Sequence, residues 1–109
     1  MINLEDNIKK FFKRKLEIEE TLSTSNLDPK EYATLSKELS DVTQVTDLSS
    51  LINSKKNELE DLYILLKDKE SDADLQDMAR EESKMLENEL NSLNKKLELA
   101  ILPKDKDDQ

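Results

Sequence analysis

Leu86-Glu87-Asn88-Glu89-Leu90-Asn91-Ser92-Leu93-Asn94-Lys95-Lys96-Leu97-Glu98-Leu99-Ala100-Ile101 sets leucine at 86, 90, 93 and 97 and apolar residues again at 100 and 101. Steps of 4, 3, 4 and 3 keep these residues on one side of a helix and make a heptad seam. Charged and amide side chains fill the rest of the circumference. A narrow apolar seam on such a helix is stable only against another helix, in the same chain or in a partner. The fold class read from this stretch is therefore all-α.

Working outward, Leu75 and Met78 or Ala79 extend the stripe toward the N-terminus. Asp72 stands where a helix cap is expected, and Asp74 and Asp77 suit the positive end of the helix that follows. Pro103 closes that helix, giving a span of about 73–102, and 104–109 reads as a charged tail or linker. A second helix opens at Asp28-Pro29-Lys30-Glu31, with a capping aspartate, a proline of preset φ at the first position and a glutamate three residues after the cap. Its stripe runs Tyr32, Leu35, Leu39, Val42, Val45, Leu48, Ile52, Leu59, Leu62 and Leu66, with Lys55 in one slot at a level near the surface. The two steps of 3 around Val45 are a stammer in a stretch rich in Ser, Thr and Val, the weakest helix formers of the segment. One helix over about 29–67 is expected, ~60 Å long at 1.5 Å per residue; whether it bends near 46–49 is left open.

The first helix, about 3–22, carries Leu4, Ile8, Phe11, Phe12, Leu16, Ile18 and Leu22 on a broad face. It ends in the polar cluster Ser23-Thr24-Ser25-Asn26. The short link Lys69–Ser71 folds helices two and three into a long antiparallel, coiled-coil-like hairpin. The first helix packs near one end of it, so the expected architecture is an elongated three-helix domain.

Composition agrees. The 109 residues include no glycine, where average usage would supply about eight, and no cysteine, histidine or tryptophan. Phosphate-cradling glycine loops and tight hairpin turns are excluded, as are zinc sites and Cys/His nucleophile pairs. Net charge is −9, and all of it arises after residue 25, because the first 25 residues balance five cations against five carboxylates. An acidic body argues against general affinity for nucleic-acid phosphates. No signal peptide or spanning apolar run is read from the residues present, and a soluble, cytoplasmic protein is expected.

Three constellations bear on chemistry. Lys9, Lys10, Lys13, Arg14 and Lys15 place five cations within seven residues around Phe11 and Phe12. They can grip RNA phosphates or an anionic membrane surface; the plainer reading turns both phenylalanines to the core and leaves the cations in water beside Glu17, Glu19 and Glu20. The aspartate groups 72, 74, 77 and 105, 107, 108 lack the turn glycine of a calcium loop and read as caps and solvated charge. A slender helical rod offers no dry cleft for a carboxylate pair, so no intrinsic catalysis, metal or cofactor is expected.

Asp72-Ala73-Asp74-Leu75-Gln76-Asp77-Met78-Ala79 leads into the leucine heptads, and Ile101-Leu102-Pro103-Lys104-Asp105-Lys106-Asp107-Asp108 closes them. This text resembles the N-terminal helical domain of bacterial class I peptide chain release factors, more narrowly the type-one members that read UAA and UAG. That domain ends in a Leu-Leu-Pro-Lys-Asp-x-x-Asp segment. Tyr32-Ala33-Thr34-Leu35-Ser36-Lys37-Glu38 is similar to the family's Tyr-x-x-Leu-Ser-Lys-Glu stretch. The resemblance covers essentially the whole chain. It implies a helical arm in translation termination, with the factor-binding region of the ribosome and the release-factor glutamine methyltransferase as partners, and no membrane or small-molecule substrate. The family's Gly-Gly-Gln and Pro-x-Thr motifs have no counterpart in these 109 residues. No catalytic or codon-reading role therefore carries over, and the chain reads as the arm without the catalytic and decoding parts. Two other readings stand beside it: an unrelated structural coiled-coil adaptor, and an RNA-binding module built on the basic run.

Overall fold

The computed structural model of the chain describes residues 3–103. They form α1 (Leu4–Thr24), α2 (Pro29–Lys67) and α3 (Ala73–Ile101), with no strand among the described residues. The charged segment 104–109 lies outside them. Local chemistry explains two of the helix starts. Asn3 Oδ1 accepts the Glu5 N–H at 2.9 Å, and Asp28 Oδ1 accepts the Glu31 N–H at 2.8 Å with Pro29 at the first helical turn. The hydrogen bond from the Glu31 backbone holds the Asp28 carboxyl below the usual carboxylate range.

The third start differs from expectation. Asp72 occupies the cap position, yet its side chain accepts no capping hydrogen bond. The turn is fastened from inside α3 by Gln76, whose amide nitrogen donates to the Leu65 and Asp68 carbonyls at 2.9 Å each and also bonds Ser71 Oγ. These carbonyls lie in the last turn and the C-cap of α2, where they also accept the Asp68 and Ser71 backbone N–H groups at 3.1 and 3.4 Å. One side chain thus joins the end of α2 to the start of α3.

The molecule measures 63 × 33 × 25 Å, and α2, ~58 Å long at 1.5 Å per residue, spans most of the long dimension. It is a spine with two clients. α1 runs antiparallel to its first part, tied by Arg14 to Glu38, and α3 returns along its second part, tied by Lys55 to Glu89 and Tyr63 to Glu87. The stripe on α2 divides accordingly into two heptad seams. Leu35, Leu39, Val42, Thr46 and Ser49 step 4, 3, 4, 3, and Leu48, Ile52, Lys55, Leu59, Leu62 and Leu66 step 4, 3, 4, 3, 4. All of them are buried or half-buried. Residue 48 opens the second seam one position before residue 49 ends the first, and these two point ~100° apart around the helix. The stammer at 42–48 is this changeover, and the helix continues through it without interruption.

All three helices contribute where the seams overlap. Val45, Ile52, Leu90, Leu93 and Leu97 form the buried cluster, with Ile8, Phe11, Leu48, Leu59 and Ile101 packed against it. The seam of α3 is also longer than its leucines suggest. Ala79, Ser83, Leu86, Leu90, Leu93 and Leu97 are all buried, and the Ser83 hydroxyl is satisfied by donating to the Ala79 carbonyl at 2.7 Å. Thr46 is likewise buried, donating to the Thr43 carbonyl at 3.1 Å. Lys55 meets the expectation of a surface level: its ammonium is 3.4 Å from Glu89 Oε1 while its stem covers the seam.

Candidate functional site

The basic run sits in the first half of α1, and helical geometry sorts its members. Phe11 is half-buried against the cluster at the three-helix junction, but Phe12 is 40% exposed. Neighbouring residues point ~100° apart on a helix, so the two rings cannot share the core face. The expectation that both do is corrected here. Leu16 is also outside the core, 67% exposed, while Lys15 is half-buried at the edge of the packed face.

Arg14 is spent within the fold. Its Nε and Nη2 donate to Glu38 Oε2 and Oε1 at 2.5 and 2.8 Å, and Nη1 lies 3.8 Å from Glu17 Oε1. Hydrogen bonding to Glu38 raises the guanidinium pKa, and the same pairing lowers that of the Glu38 carboxyl. This two-pronged bridge links α1 to α2 and removes one cation from any anion-binding patch. Lys9, Lys10 and Lys13 remain exposed, with no ion-pair partner among the described residues. The five cations expected to act together therefore separate into three available lysines, one half-buried lysine and one engaged arginine.

Beside Lys9 a groove of about 420 Å³ opens between α1 and the α2/α3 hairpin. Leu4, Ile8, Phe12, Ile52 and Leu97 give it an apolar lining, and Lys9 and Lys56 stand on its two walls. Sequence reasoning missed it, because it is made by three helices meeting. The exposure of Phe12 is the one sign of it that helical spacing could have supplied.

Elsewhere the surface is acidic and solvated. Every Asp and Glu among the described residues is exposed or half-buried. Asp77 pairs with Arg80 at 2.8 Å. Among these residues no grouping of three or more metal-ligating side chains occurs, and no helix is long and apolar enough to cross a membrane. This surface offers charge pairing and apolar contact, which is binding chemistry.

The PCRF domain family model matches residues 11–109. The chain is 35% identical over 111 residues to peptide chain release factor 1 of Wolbachia pipientis, covering 98% of this chain and 30% of that protein. It is 39% identical over 92 residues to peptide chain release factor 1 of Pelagibacter ubique, covering 84% of this chain and 26% of that protein. With peptide chain release factor 1 of Bacillus subtilis it shares 31% over 105 residues, 94% of this chain and 29% of that protein. The chain thus spans less than a third of the length of these curated relatives. No solved structure gives a significant match.

Proposed function

The chain belongs to the PCRF domain family, in common with peptide chain release factor 1 relatives, and from that membership we propose that it serves translation termination as the helical arm of such a factor. The observation that carries this reading is the match over residues 11–109, reinforced by relatives aligned along nearly the whole chain. The fold supports it: a rod of 63 Å with a shared three-helix junction positions its ends relative to each other.

On this reading the arm works in the cytoplasm. It docks at the factor-binding region of the ribosome and contributes to recognition by the glutamine methyltransferase. Lys9, Lys10 and Lys13 are its RNA-facing cations, with Arg14 holding the helix that presents them against Glu38 of α2. Bond cleavage belongs to other parts of such a factor, since these 109 residues hold no glycine from which to build Gly-Gly-Gln.

The purified chain, added to stop-programmed ribosomes carrying formyl-methionine, releases no formyl-methionine above background. Its association with the ribosome weakens when Lys9, Lys10 and Lys13 are replaced by Gln, and the salt dependence of binding becomes shallower. Release by the chain alone would overturn the assignment of chemistry elsewhere. Unchanged ribosome association and salt slope would remove the three lysines from the interface.

A further inference from the structure

We propose that the groove at the three-helix junction binds an acidic, amphipathic helix of a protein partner. Its apolar floor is formed by Ile8 and Phe12 of α1, Ile52 of α2 and Leu97 of α3, with Leu4 at one end. Phe12 and Leu4 keep 40% and 42% of their surface exposed. From Leu4 to Phe12 the apolar lining runs ~12 Å along α1. A helix of about two turns, inserting side chains spaced i, i+3 or i+4 and i+7, matches that length.

Charge selects the partner's sign. The chain as a whole carries −9, yet the groove is lined by Lys9 of α1 and Lys56 of α2 against the single carboxylate of Glu5. Asn53 and Asn94 add amides to the rim, and Lys13 stands one turn along from Lys9. Carboxylates flanking the apolar stripe of a partner helix would meet these lysines while its stripe covers the floor. The floor favours a protein over RNA, because Phe12 is its only aromatic and single-stranded RNA is held on several stacking rings.

The test titrates the isotope-labelled 109-residue chain with a synthetic helical peptide of about four turns, carrying Leu at i, i+3 and i+7 with Glu on both flanks. Amide shifts are expected at Leu4, Ile8, Phe12, Asn53, Lys56 and Asn94, with affinity falling as salt rises. Lys56→Glu weakens binding several-fold, and Phe12→Ser, at a position already partly in water, does the same. Both variants keep wild-type helicity by circular dichroism. Three results would overturn the proposal: no shifts in the groove, equal binding of a peptide with Lys in place of Glu, or displacement of the peptide by an oligouridine that shifts the same amides. Because Lys56 and Phe12 lie outside the cations assigned to RNA, failure here is separable from failure of the ribosome reading.

Discussion

Inserting one alanine between Val45 and Thr46 destabilises the chain by several kcal/mol, among the largest effects a single-residue change produces, and uncouples α1 from the junction. The added residue turns everything beyond it by ~100° relative to everything before it. Leu35, Leu39 and Val42 stay with the first part of α2, whereas Thr46, Ser49, Ile52 and the whole second seam rotate away with α3. α1 then cannot keep Arg14 on Glu38 and also Ile8 and Phe11 on the junction cluster. Amide exchange is the direct readout: protection in residues 4–12 is lost while protection along the α2/α3 seam persists. The same insertion at 25–26, in the link between α1 and α2, is tolerated because no seam crosses it. An insertion at 45–46 that leaves stability and protection unchanged would mean that the two faces of α2 are not rigidly coupled.

The second large effect is at Ile52. This residue is 3% exposed, and it packs in the cluster to which all three helices contribute. Ile52→Ala removes its branched chain from a site that α1, α2 and α3 would all have to move to refill. A loss of roughly 3 kcal/mol is expected, within the range for buried aliphatic truncations. Ile64→Ala, on the same helix but at 62% exposure, is expected to cost less than ~0.5 kcal/mol. Urea denaturation followed by circular dichroism separates the two. Equal losses would contradict the placement of the core at the junction.

Features set by residues within a turn or two were legible: the Asp28-Pro29 opening, the leucine seam of α3 and the three-helix, all-α elongated architecture. Features requiring two helices at once were not. The changeover on α2 looked like an irregularity because its first seam ends in Thr46 and Ser49, polar residues whose burial depends on a neighbouring helix. Ser83 hid the continuity of the α3 seam for the same reason, and its hydroxyl is satisfied only by its own helix backbone. Gln76 gave no local sign of fastening the hairpin turn, since its acceptors lie on the preceding helix. The basic run was visible as composition, but its division depended on Glu38, 24 residues away from Arg14, and on the direction of Phe12. Treating buried Ser and Thr as permitted seam positions would have recovered both long heptads from spacing alone.

The assignment to peptide release is tested most directly in a chimera. The segment of Bacillus subtilis peptide chain release factor 1 that aligns with this chain is replaced by these 109 residues, and release of formyl-methionine from stop-programmed ribosomes is timed. The chimera is expected to stay within about threefold of the parental rate, a difference below ~1 kcal/mol in activation free energy, while the same factor carrying an unrelated helical hairpin of equal length falls far below it. A chimera no faster than the hairpin control would contradict the account.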